Sequence, residues 1–364
     1  MSSDASPPAP RLDWRDDLRH SRRWQPALAA ATGRAEPTAA EAAVAARYPV
    51  AVTPALVALI GKSPDGARVA RQFLPAPEEQ DDTFPADPLA EEAMMPVPGL
   101  VQRYPDRVVV LATNACAAYC RYCTRKHRVG TRAPTWFGHR PEILAWLRAH
   151  PEVRDVLVSG GDPLILPDVA LDRLLRDLEA LPHLDAIRVG TRAPVVLPAR
   201  LTPALVARLG RSKRVWVNTQ VNHPAELTPE ARGALGRLVD GGVPVGNQAV
   251  LLAGVNDDVS TLEALFRALL ALRVRPYYLF VCEPGRGIGH FRTSVARAIE
   301  LMGALRGRVS GLALPTLAID LPGGAGKVAL APDVLVGREG DTLLIRSWRG
   351  ERVRYPDGPE RPKK

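Results

Sequence analysis

The chain has 364 residues, 46% of them hydrophobic, and its 48 Lys+Arg against 39 Asp+Glu give a formal net charge of +9. That length allows one large or two medium domains with a real core, and the apolar fraction excludes disorder of the whole chain. No apolar run approaches the roughly 18 to 20 residues that span a bilayer, and four cysteines exclude a disulfide scaffold. Only six of the basic residues are lysine. With the many Ala and Pro, this arginine bias reads as a compositional habit, and no nucleic-acid-binding motif accompanies the charge. Residues 1–100 carry net −4 and residues 101–364 net +13, a balance that serves anionic cofactors as well as polyanions. The polar, acidic N-terminal segment predicts no signal peptide and a cytoplasmic protein without membrane or nucleic-acid partners.

In chain order, residues 1–13 are Pro-, Ser- and Ala-rich and are expected to be disordered. Residues 14–72 read as Ala-rich helices with stops at Thr32-Gly33 and Gly61, and residues 75–99 as an extended linker wrapping onto the next domain. Residues 14–100 thus form an N-terminal helical region with its linker. Short β-branched runs come next at 107–112, 155–159, 186–190, 214–219, 244–251 and 275–281. Amphipathic helical stretches separate them at 141–149, 168–181, 203–211, 228–239 and 259–272, with a further helix at 293–306. This alternation predicts an α/β core over 101–310, built on a parallel sheet that is either open and doubly wound or a partial (β/α)6 barrel. Residues 311–364 form a C-terminal extension with a strand-like run at 341–348.

In such folds the chemistry sits at the C-terminal ends of the strands, and the unusual residues follow that rule. Behind the first strand come Cys116, Cys120 and Cys123. The later strands lead into Ser159-Gly160-Gly161-Asp162, Gly190-Thr191-Arg192, Asn218-Thr219-Gln220 and Cys282-Glu283, and the fifth carries Gln248. Three thiolates on one short loop fall short of the four ligands of structural zinc, and Cys282 is far away in sequence. They suit an iron–sulfur cube with one iron left open, a structural metal or redox site being the alternative. Near the C-terminus, Asp320 precedes a glycine-rich loop that ends in Lys327. A phosphate-binding P-loop would need Gly at 321 and Ser or Thr at 328, where the chain has Leu321 and Val328. The lysine suits a Schiff base, or else a solvated surface turn.

CxxxCxxC followed one strand later by GGDP resembles the signature of radical S-adenosylmethionine (SAM) enzymes. From about residue 24 to about residue 335 the chain resembles the lysine 2,3-aminomutase family. The likeness lies in DPLAE (87–91), PVPGL and RYPDRV (96–108), TNACAAYCRYCTRKH (113–127), SGGDPL (159–164) and GTRAPVVLP (190–198). It continues in GNQAVLLAGVND (246–257), RVRPYYLFVCE (273–283), GHFRT (289–293), LRGRVSG (305–311) and PGGAGK (322–327). The resemblance implies a radical-SAM, pyridoxal phosphate (PLP)-dependent isomerase that moves the α-amino group of L-lysine to the β-carbon. It implies a 4Fe-4S cluster on Cys116, Cys120 and Cys123, and SAM beside Ser159, Gly160, Gly161, Asp162, Asn218 and Gln220. It implies PLP on Lys327 near Arg103, Tyr104, Arg107 and Gln248. Arg125 then meets the substrate carboxylate, and Glu283 and Asp320 meet its side-chain ammonium. It further implies an external one-electron reductant of flavodoxin or ferredoxin type and a homo-oligomer.

Better-known members carry a zinc site from a cysteine just after GVND and a C-terminal cysteine cluster. Here Asp258 stands after GVND, no cysteine follows Cys282, and no zinc is predicted. Glu283 replaces the family's usual Asp, Phe280 a Tyr near PLP, and Gln220 a His. The extra methylene of Glu283 raises the alternative of ornithine or arginine as substrate. Two further alternatives are a lysine aminomutase of the elongation-factor-P pathway, against which PGGAGK counts, and a basic iron–sulfur nucleic-acid-binding protein.

Overall fold

The computed structural model describes residues 13–21, 26–33 and 36–357. The expectation of disorder for residues 1–13 falls, apart from Asp13, outside the described residues. Nine strands form one sheet in chain order: β1 (Leu100–Tyr104), β2 (Arg107–Thr113), β3 (Asp155–Gly160), β4 (Ala186–Thr191), β5 (Val215–Thr219), β6 (Val245–Leu251), β7 (Arg275–Val281), β8 (Thr316–Leu321) and β9 (Gly326–Leu330). β2 through β8 run parallel, and β1 and β9 flank them antiparallel. The sheet curls into an incomplete barrel. The six sequence-predicted strands are all present, and the parallel run extends to a seventh, β8. No backbone ladder joins β1 to β9. The Lys327 N–H of β9 donates instead to the Tyr104 hydroxyl of β1 at 2.6 Å, and Arg103 of β1 reaches Asp320 on β8 at 2.7 Å.

The helices begin where the chain supplies caps. Thr53-Pro54, Thr202-Pro203 and Thr228-Pro229 each place a side-chain acceptor over the first turn and a proline where no amide partner is needed. Asp258 caps the helix Val259–Ala271 and pairs with Arg68 at 2.9 Å. The inner faces of these helices and one face of each strand share a continuous apolar core that includes Val110, Val158, Val189, Leu174 and Leu265. Phe73, Leu56 and Trp14 from the N-terminal helices join the same core.

The linker of residues 75–99 is not merely extended. It holds short 3-10 turns at Pro77–Gln80 and Glu92–Met94 and straps across the loop after β7: Arg286 N–H donates to Pro85 O at 2.9 Å and Gly287 N–H to Asp81 O at 3.1 Å. Beyond β9, a separate antiparallel sheet of β10 (Leu335–Glu339), β11 (Thr342–Arg346) and β12 (Arg352–Pro356) replaces the single expected strand. β12 is exposed throughout, with Val353 and Tyr355 open to solvent on one of its faces. Among the described residues no helix is long and apolar enough to cross a membrane.

Candidate active site

The parallel strands deliver their C-terminal ends to one rim, and two adjoining cavities open there inside the barrel. The first, about 320 Å³, is lined by Cys116, Cys120, Cys123, Arg125, Ser159, Gly160, Gly161, Asp162, Asn218, Gln220, Gln248, Glu283 and Asp320 among others. The second, about 400 Å³, is lined by Arg103, Tyr104, Arg107, Arg125, Gln248, Asp320 and Lys327. Every sequence-predicted site residue lines one of the two. Arg125, Gln248 and Asp320 line both.

In the first cavity the cysteine loop follows β2 directly, and the loop after β3 lies against it. A Cβ on Gly161 would overlap the Ala115 carbonyl, and one on Gly160, whose φ is +110°, would overlap that of Thr113. Only glycine permits this approach. Asp162 is buried, accepts from Thr191 Oγ1 at 2.7 Å and from the amides of Arg192 and Leu164, and so fixes the end of β4 against β3. Among the described residues no three His, Cys, Asp or Glu side chains converge on a single metal ion. A multinuclear cluster spreads its ligands over several irons, and three cysteines around one cavity suit it. Asn218 Nδ2 and Thr219 Oγ1 are buried without a partner among the described residues and belong to the wall of this cavity. Such orphaned groups are costly and fit a polar ligand such as SAM.

In the second cavity the Lys327 ammonium lies 4.4 Å from the centres of both the Tyr278 and Phe280 rings. Burial pulls its pKa below the ordinary lysine value, which favours the free amine a Schiff base requires. Arg103, Arg107 and Arg188 supply a cationic wall suited to a phosphate. Arg188, on β4, is a site residue that the sequence did not single out. Its signal was an arginine at an alternate position of an otherwise apolar strand, on the same face as Gly190. The amine, the rings and the arginines together fit PLP.

Between the cavities, Arg125 makes a two-pronged ion pair with Glu91, both contacts at 2.7 Å, and donates to Ser159 Oγ at 3.0 Å. Burial works to raise the Glu91 carboxyl, but Arg125 overrides it and holds it low. Glu283 has no ion-pair partner among the described residues. It accepts from the Asp320 amide at 3.4 Å, and burial, then the Asp320 charge, pushes its pKa up to about 7. Glu91 is a further site residue that sequence reasoning missed, although it lies in the segment DPLAE, and Arg192, placed at the rim by its position after a strand, was given no role there.

Residues 110–265 match the family model described as Radical SAM superfamily, the class that this barrel and its three-cysteine loop define. Residues 302–363 match the model described as Lysine-2,3-aminomutase. The chain is 44% identical over 316 residues to the L-lysine 2,3-aminomutase of Bacillus subtilis (strain 168), covering 85% of this chain and 66% of that protein. It is 42% identical over 311 residues to the L-lysine 2,3-aminomutase of Fusobacterium nucleatum subsp. nucleatum, covering 85% and 73%. A glutamate 2,3-aminomutase of Clostridioides difficile (strain 630) is 40% identical over 287 residues, covering 78% and 67%. The chain belongs to the lysine 2,3-aminomutase family of radical SAM enzymes.

Proposed function

We propose that the chain is a PLP-dependent aminomutase that moves the α-amino group of L-lysine to the β-carbon, giving β-lysine. One observation carries this reading: the cysteine cavity and the lysine cavity share a wall of Arg125, Gln248 and Asp320, so one small substrate can touch both. When bound, the cluster with SAM supplies a carbon radical able to remove a hydrogen atom, and PLP supplies a covalent hold on the substrate α-amine.

In this reading Cys116, Cys120 and Cys123 hold the cluster. The glycines at 160 and 161 let backbone approach SAM, with Ser159, Asp162, Asn218 and Gln220 beside it. Lys327 supplies the amine for PLP, Arg103, Arg107 and Arg188 face its phosphate, and Tyr104 fixes the Lys327 backbone. Arg125 meets the substrate carboxylate. Glu283, with Asp320, meets the side-chain ammonium, and an acid at this point disfavours glutamate by like-charge repulsion. The work of the protein is orientation and exclusion of water. An external one-electron donor of flavodoxin or ferredoxin type and a homo-oligomeric, cytoplasmic enzyme belong to the same proposal.

The test is anaerobic reconstitution with iron, sulfide, SAM, PLP and a reductant, followed by product analysis on lysine, ornithine, arginine and glutamate. β-Lysine is expected to dominate. A dominant β-glutamate or β-ornithine replaces the substrate assignment, and no rearranged amino acid from fully loaded protein ends the mutase reading.

Glu283 gives the reaction a pH signature. Its raised pKa leaves it neutral below about pH 7 and ionised above. Attraction for a substrate ammonium is therefore lost as pH falls, and kcat/KM for lysine should drop about tenfold per pH unit below that point. Glu283→Gln should lower kcat/KM and abolish this acid limb. A limb that persists in that variant assigns it to another group.

A further inference from the structure

The Arg192 side chain is buried, 7% exposed, and takes no part in the reaction proposed for the two cavities. Its guanidinium is held on three sides. One terminal nitrogen donates to Glu226 Oε2 and to Gln72 Oε1, both at 2.7 Å. The other donates to the sulfur of Cys120 at 3.0 Å. Its face packs 4.5 Å from the Phe73 ring and 5.4 Å from the Tyr122 ring. The partners are themselves fixed. Glu226 accepts from Gln72 Nε2 and from the amides of Asn222 and His223, and Asn222 Nδ2 donates to Gln72 and to the Tyr122 hydroxyl. A network from the N-terminal helical region, the cysteine loop and the ends of β4 and β5 thus ends on one ligand sulfur.

We propose that Arg192 is a positioning residue for the iron–sulfur cluster: its clamped guanidinium raises the cluster's reduction potential through the hydrogen bond to Cys120. The inference rests on the reading that Cys116, Cys120 and Cys123 hold that cluster. Reduction moves one electron from an external one-electron donor, which is oxidised, onto the cluster, which becomes more negative. A cationic donor on a ligand sulfur stabilises the reduced form more than the oxidised one. The guanidinium lies between the sulfur and Glu226, so the ion pair turns its positive end toward the cluster. Burial keeps water from screening it. Lysine could keep the charge but could not reach the sulfur, Gln72 and Glu226 at once.

The test uses the full chain, reconstituted anaerobically with iron and sulfide, as wild type, Arg192→Lys and Arg192→Gln. Iron and sulfide are counted first. The midpoint potential is then read by electron paramagnetic resonance of the reduced cluster during a mediated titration. The expected order is wild type highest, Arg192→Lys lower and Arg192→Gln lowest. At one fixed potential, the reduced-to-oxidised ratio should fall about tenfold in the Gln variant. Equal potentials in iron-replete wild type and Gln variant overturn the proposal. Should the Gln variant fail to fold, an unshifted Arg192→Lys protein overturns it equally. A wild-type chain that takes up no iron overturns the cluster reading itself, which the iron count separates from a failure of Arg192.

Discussion

Lys327→Ala is expected to lose turnover by roughly a thousandfold or more while leaving the fold intact. Among the described residues, Lys327 is the one lysine in the wall of either cavity. No neighbouring amine can replace it, and the guanidinium groups of the arginines around it are poor nucleophiles. Its structural role is small. The hydrogen bond to Tyr104 comes from the backbone amide, which alanine keeps. Its side chain is only partly buried, so thermal stability should change by less than about 1 kcal/mol. The variant should also lose the violet absorbance of PLP bound to the protein while keeping the broad iron–sulfur shoulder. A Lys327→Ala protein that retains covalent PLP and turns over removes Lys327 from its role.

A different kind of damage is expected from Glu79→Ala. Glu79 and Arg121 are fully buried, and Arg121 pairs with both carboxylate oxygens at 2.6 to 3.0 Å. Lys126, also buried, donates to the same carboxylate and to Gly287 O at 2.9 Å. Even with this partner, burial pulls Lys126 down to about 8. Removing the one acid strands an arginine that cannot discharge, which costs about 3–5 kcal/mol. In a protein of this size that lowers the melting temperature by roughly 5 °C. Both cations sit on the cysteine loop, Arg121 directly after Cys120 and Lys126 shortly after Cys123, so iron uptake should fall with stability. Calorimetry of wild type, Glu79→Ala and Glu79→Gln would show the loss. A change under about 1 kcal/mol in the alanine variant would mean that the two cations find other partners or water.

The strand–helix units were legible because each is local: a β-branched run, a turn, then a helix with a 3.6-residue apolar period. The cysteine spacing and the glycine pair at 160 and 161 were legible because their chemistry tolerates few substitutes. Glu79 left no trace, since its partners lie 42 and 47 residues away and its own neighbours form a polar, proline-rich turn. Arg192 was legible as a rim residue but its partner was not, since Glu226 lies 34 residues away and looks like an ordinary surface charge until folding buries it. β12 was missed although Val353 and Tyr355 alternate with arginines, because two apolar residues in a five-residue run that ends in proline are too short a pattern to stand out.

Between β1 and the β8–β9 edge the barrel wall is closed by single contacts and not by a continuous ladder. A fully laddered barrel must break main-chain hydrogen bonds to admit anything through its wall. Here the seam rests on two contacts, the Tyr104 hydroxyl on the Lys327 amide of β9 and Arg103 on Asp320 of β8, so it can part without the loss of a main-chain ladder.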